Sequence, residues 1–131
     1  MGMSVKWLND DKKIINLQIE GRWNWSELYD NVETISGMVK SVKNQVSIIV
    51  EFADKWSTIL PHNVFTNAST LLQAVPANQI IVIVSKFSVI KTTVSTLKRT
   101  VNMTKMENMI VVDTCQEAYD ILNGEVTYSP S

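Results

Sequence analysis

The 131-residue sequence contains one cysteine, one histidine, four glycines and three prolines. A single Cys115 cannot pair within the chain, which excludes a disulfide framework and suits a reduced, cytoplasmic protein. One histidine and one cysteine cannot furnish a common structural zinc site. The scattered glycines build neither a phosphate-binding loop nor a dinucleotide fingerprint, so no cofactor is expected. Long hydrophobic runs are also missing. Ile80 to Val84 and Met109 to Val112 fall far short of the roughly 20 residues of a membrane helix. No cationic start with an apolar run and cleavage site precedes the fold, so the chain reads as unprocessed. Proline and glycine are too few for a collagenous or low-complexity chain, while 45% hydrophobic residues argue against wholesale disorder. What remains is one domain able to bury its own core, ordered over about residues 5–123 with a tail over 125–131.

Acid is missing from the middle of the chain. The formal net charge is −1, yet nothing between Asp54 and Glu107 is acidic, while Lys55, Lys86, Lys91, Lys98, Arg99 and Lys105 lie inside that interval. The other residues carry all thirteen acidic groups against six basic ones. A pI near 5.8 argues against general DNA affinity, since a counterion-release binder shows a net basic domain. The split favours electrostatically oriented contact, although solvation of helix surfaces alone accounts for many such runs.

The apolar pattern predicts the elements. Val5 to Leu8 and Lys13 to Glu20 read as a hairpin about the turn residues Asn9 to Lys12. In the second strand Ile15, Leu17 and Ile19 alternate with Asn16, Gln18 and Glu20, as expected of a strand wet on one face and near a sheet edge. That edge is guarded by Lys6, Lys12 and Lys13 and leaves pairing into a homodimer open. Asn24 and Glu27 make a capping box inside a Trp23–Leu28 staple, and Leu28, Val32, Ile35, Val39 and Val42 follow helical spacing. Gln45 to Phe52, Gln79 to Val84 and Asn108 to Val112 read as buried central strands. Between them lie a helix with Pro61 in its first turn and a face of Val64, Ala68, Leu71 and Val75, then a helix over about 89–101 capped by Ser88 with Ile90, Val94, Leu97 and Val101 inward. A last helix begins at the Thr114–Glu117 capping box and stops near Gly124. Short loops and right-handed crossovers make the inner strands parallel, giving an α/β fold with a mixed five-strand sheet and about four helices.

This order, from about Val5 to Asn123, resembles the STAS-like fold of anti-sigma-factor antagonists and the cytosolic domains of sulfate transporters. Local matches are Glu20-Gly21 before Trp23-Asn24-Trp25, the strand ending in Glu51-Phe52, and Val111-Val112-Asp113-Thr114 before Glu117-Ala118. The resemblance is to stand-alone members of the fold and implies a regulatory protein partner. The family signature places an acidic residue, a phosphorylatable Ser or Thr and a glycine at the start of the helix after the buried strand. Here that stretch reads Asp54-Lys55-Trp56-Ser57-Thr58-Ile59-Leu60-Pro61-His62-Asn63, without the glycine. The departure predicts a partner-binding loop with no phosphorylation switch.

Candidate chemistry is sparse. His62 and Cys115 could form a nucleophile and base only if the fold joins them, and the first turn of the last helix would favour a Cys115 thiolate. Packing at a strand-helix junction accounts for Cys115 equally simply. Glu51 and Asp113 sit at carboxyl ends of predicted parallel strands, where open sheets build crevices. Capping and solvated strand ends explain them without catalysis. Trp56 differs from Trp7, Trp23 and Trp25 in lying in a polar connection, which suits a binding rim. The leading expectation is therefore a non-enzymatic interaction module using Lys55, Trp56, Ser57, Thr58 and His62. The alternative is a binder of a small anionic or amphipathic ligand, a nucleotide or lipid, using Trp56 with Lys86, Lys91, Lys98 and Arg99.

Overall fold

Five strands form the sheet, as the pattern predicts, the first of them over Met3–Trp7 instead of Val5 to Leu8. The computed structural model describes residues 2–8, 12–53, 61–64, 66–68, 70, 80–100 and 109–122. Strands β1 (Met3–Trp7), β2 (Ile14–Ile19), β3 (Ser47–Phe52), β4 (Ile80–Val84) and β5 (Met109–Val112) lie in the order β1-β2-β3-β4-β5. The β1-β2 pair is antiparallel and the other three pairs are parallel. Four helices accompany them among the described residues: α1 (Trp25–Lys40), α2 (helical at residues 64, 66–68 and 70), α3 (Ser88–Thr100) and α4 (Cys115–Leu122). No described helix is long and apolar enough to cross a membrane.

The two-residue period of the strands sorts the core into two layers. One face carries Ile15, Leu17 and Ile19 of β2, Ile48 of β3, Ile81 and Ile83 of β4 and Met109 of β5. It packs against Ile35 and Val39 of α1, Ala68 of α2, and Ile90 and Val94 of α3. The other face carries Ile14, Ile49, Val82, Val84, Ile110 and Val112 and packs against Ala118 of α4. Three helices thus share one face and α4 lies on the other. Each crossover from β2 onward steps to the next strand in the same direction, and a right-handed connection that repeats this step puts every helix on the same side.

The turn into α1 follows from local chemistry. Gly21 has φ +70°, a left-handed conformation that L side chains adopt only at a cost, and it ends the extended chain after β2. Asn24 then accepts the Glu27 N–H at 2.9 Å, and Trp23 is buried in the core beside a partly buried Leu28. The Asn24 cap is present, and both staple positions join the same core layer. The predicted cap of the last helix is also found, with the Glu27-like role taken by Glu117, whose N–H donates to Thr114 Oγ1 at 3.2 Å.

Several sequence expectations are corrected. Strand β2 lies next to the edge strand, hydrogen-bonded on both sides, and its second face is less wet than expected: Asn16 is only 5% exposed and Gln18 is partly buried. Alternation of polar with apolar residues did not mean solvent at Asn16, which is buried on the same face as Ile14. Strand β5 is not central but the opposite edge; helices on both faces bury it, which explains its continuous apolar run. Pro61 stands outside α2. Asn63, at φ +62°, breaks helical geometry between them, and its carbonyl accepts the Asn67 N–H at 3.0 Å. Ser88 is the first residue of α3 rather than its cap; the Phe87 carbonyl accepts the first helical bonds, and Ser85 Oγ accepts the Phe87 N–H at 3.2 Å. Val42 follows the Ser41 cap of α1 yet still packs on the core. The readings that fall on Leu71, Val75, Val101, Gly124 and the tail lie outside the described residues.

Candidate functional site

The carboxyl edge of the sheet is where β3, β4 and β5 release the chain into the segments that the sequence singled out. Of the predicted docking residues, Lys55, Trp56, Ser57 and Thr58 lie outside the described residues. The two ends of their segment are placed. Ala53 N–H donates to the Ile19 carbonyl at 2.8 Å, extending β3 against β2. At the other end the His62 carbonyl accepts the Trp25 indole N–H at 2.6 Å, and Tyr29 Oη donates to Asn67 Oδ1 at 2.9 Å. Residues 54–60 are thus bracketed by attachments to the β2–α1 region, and Trp25 meets Trp23 edge-on with ring centroids 5.0 Å apart. Trp25 is a clamp between α1 and the entry to α2, a role beyond the core or cap position expected from sequence. His62 itself is exposed.

The topology gives the His62–Cys115 pairing no support. His62 leads into α2 on the face of the first layer, whereas Cys115 opens α4 and packs on the second. A thiolate at Cys115 is disfavoured as well. Burial first, then the hydrogen bond and negative charge of Glu51, push its pKa from an ordinary 9.0 up to about 11. The dipole of the short α4 does not outweigh a half-buried site beside a carboxylate. Burial together with Cys115 and Glu51 also raises Tyr119. Glu51, noted as a strand-end carboxylate, is therefore the acceptor of the Cys115 thiol, and Tyr119 completes a cluster the sequence did not reveal. Tyr119 lies one helical turn beyond Cys115, and that spacing was the available signal.

Asp113, the other strand-end carboxylate, does not cap α4; it forms an ion pair with Lys91 of α3. Of the basic set proposed for anion binding, Lys91 is thus tied across to the β5–α4 turn. Arg99 is exposed two turns further along α3, Lys86 is exposed before α3, and the Lys98 side chain lies outside the described atoms. Among the described residues no group of three or more His, Cys, Asp or Glu side chains could hold a metal ion.

Two hydrophobic residues at this edge escaped the sequence analysis. Phe87 is 38% exposed and Val89 46% exposed, and both stand at the start of α3 next to Lys86. Val89 is one position off the Ile90–Val94 face, a displacement of about 100° around a helix, and Phe87 precedes the first turn. Their offset from the apolar spacing was the legible sign that they face outward.

The strand order decides what this edge can do. Open α/β sheets form ligand crevices where the order of parallel strands reverses, because helices diverge there to opposite faces. From β2 to β5 the order never reverses, and α1, α2 and α3 stay together. The crevice expected beside Glu51 and Asp113 therefore has no switch point to form it. Space lies instead beneath the helices, as a cavity of about 180 Å³ lined by Ile19, Trp23, Ile48, Ile83, Ile90 and Val94 among others. The lining is made almost wholly of core side chains; of its polar groups, the Thr93 hydroxyl donates to the Val89 carbonyl and the Trp25 indole N–H to the His62 carbonyl. No protein-family model matches the chain, and no curated protein or solved structure matches it.

Proposed function

We propose that the chain is a non-enzymatic regulatory module of STAS-like type that binds a protein partner at the carboxyl edge of its sheet, without a phosphorylation switch. The observation that carries this reading is the unreversed order β2-β3-β4-β5, which leaves that edge as a crest of turns rather than a crevice. Its described strand-end carboxylates serve structure: Asp113 pairs with Lys91, and Glu51 accepts the Cys115 thiol. On the same crest Phe87 and Val89 remain exposed, and the segment bearing Lys55, Trp56, Ser57 and Thr58 begins and ends on anchored backbone. Shape-complementary contact needs these features; bond-making chemistry does not. A reduced cytoplasm suits the single thiol, held as a packing group.

The test is quantitative capture of the tagged chain from its native cells, with intact-mass analysis. A stoichiometric partner should be recovered with the native sequence and with Ser57→Ala, and lost with Trp56→Ala. Recovery of no partner with any variant overturns the reading. A stoichiometric phosphate on Ser57 or Thr58 overturns the absence of a switch.

A further inference from the structure

Helix α3 carries its exposed features in line. Ser88, Thr92, Ser95 and Arg99 are exposed at successive turns, and Lys86, Phe87 and Val89 are exposed around its start. From residue 87 to residue 99 the helix rises about 18 Å at roughly 1.5 Å per residue. Apolar anchors therefore stand at one end and a guanidinium at the other, with a hydroxyl-bearing stripe between. The first turn of α3 contains no acid, and Lys86 and Lys91 flank it, opposite in sign to what the positive end of the helix dipole favours. Lys91 is partly neutralised by Asp113, but Lys86 and the open N–H groups add their potential where Phe87 is exposed. No acidic residue from position 55 to position 106 opposes that field.

We propose that this face of α3 and the turn before it take an acidic amphipathic helix of a protein partner. This rests on the docking reading given above and names the chemistry of the partner. A bulky apolar side chain of that helix packs on Phe87 and Val89, one carboxylate meets Lys86 and the α3 N-terminus, and a second, about three turns away, meets Arg99. Small hydroxyl side chains at Ser88, Thr92 and Ser95 permit close approach along the stripe. A bilayer surface suits the face poorly, because the stripe offers hydroxyls where an interfacial helix needs a continuous apolar strip. A nucleic acid suits it poorly too, since its extended phosphate array would meet a chain whose other residues hold all thirteen acidic groups.

The full chain is titrated, by backbone amide NMR and fluorescence anisotropy, with two labelled amphipathic peptides of about 14 residues sharing one leucine-tryptophan stripe. One peptide carries glutamates on its polar face and the other lysines; phosphatidylglycerol vesicles are the third probe. The glutamate peptide should bind, perturb amides of residues 85–99, and weaken as salt rises from about 50 to about 300 mM. Phe87→Ser and Arg99→Glu should each weaken it about tenfold while leaving the circular dichroism spectrum unchanged. Equal or tighter binding of the lysine peptide overturns the proposal, as does an unaffected Phe87→Ser protein, or vesicle binding with both peptides silent. If the Trp56→Ala change abolishes capture of the native partner while the α3 variants and the glutamate peptide do nothing, the docking reading stands and this surface falls. If no partner is captured at all, the failure belongs to that reading.

Discussion

The thiol of Cys115 offers the sharpest chemical prediction, because its position in the first turn of α4 and its surroundings push in opposite directions. Helix polarity favours thiolate, whereas burial and the Glu51 carboxylate raise the pKa from 9.0 to about 11. At pH 8 the thiolate fraction is then about 0.1% instead of about 9%, roughly a hundredfold fall. A more basic thiolate is a better nucleophile, and with a Brønsted slope near 0.45 about eightfold of that loss returns. Alkylation at pH 8 should therefore run roughly tenfold slower than for a cysteine in a model peptide, before any steric slowing. The assay is the iodoacetamide rate followed from pH 7 to 11.5 by mass spectrometry, with Cys115 the single thiol in the chain. Glu51→Gln should lower the inflection without restoring it to 9.0, because burial is the largest cause and survives the change. An inflection at or below 9.0 in the native chain refutes the reasoning. The same shift sets a pH dependence of stability. The folded thiol keeps a proton that the unfolded chain releases near 9.0, so this contribution is whole below that pH and is lost as pH rises toward about 11.

Other expectations concern the frame. Gly21→Ala should destabilise by about 1–2 kcal/mol in urea melts, through the left-handed φ alone, since a Cβ there meets nothing within 4 Å; a neutral change would mean that the turn relaxes. Ile49→Ala removes a fully buried side chain from β3 and should cost about 2–5 kcal/mol by the same measurement. Lys91→Ala should cost less than about 1 kcal/mol, because both members of its pair with Asp113 are about half exposed, and that difference should vanish in about 1 M salt.

Local chemistry made much of this fold legible. Asn24 with Glu27 and Thr114 with Glu117 announce helix starts through side-chain oxygens that satisfy exposed N–H groups, a signal that tertiary context rarely overrides. Strand neighbourhood was harder to read. Asn16 looked solvent-facing because polar residues usually are, but it shares a face with the buried Ile14 in an interior strand and is 5% exposed. In β5 a continuous apolar run meant burial on two faces, which an edge strand covered by helices achieves as well as a central one. At the candidate site the sequence located Glu51, Asp113 and Cys115 individually, but the Glu51–Cys115 and Lys91–Asp113 partners lie 64 and 22 residues apart along the chain and are brought together only by the sheet. Periodicity carries no information about such pairings. The exposed Phe87 and Val89 were legible only as departures from the inward spacing of Ile90 and Val94.

One-sided winding has a further consequence for where function can reside. With α1, α2 and α3 on one face, α4 must shield the centre of the other, and it lies against β3, β4 and β5 through a side chain as small as Ala118, fully buried against a layer that includes Ile49 and Val82. A small residue there lets the helix sit close to the sheet, which brings Cys115 within hydrogen-bonding reach of Glu51. The carboxylate is thereby turned toward packing on the second face, and Asp113 is drawn to Lys91 on the first. Among the described residues, the strand-end carboxylates Glu51 and Asp113 are thus turned to different faces. Catalysis needs convergence within a few ångströms, whereas recognition by a partner needs only a rigid outward surface. The exposed Phe87 and Val89, held at the start of a helix whose inner side is locked by Ile90 and Val94, meet the second requirement.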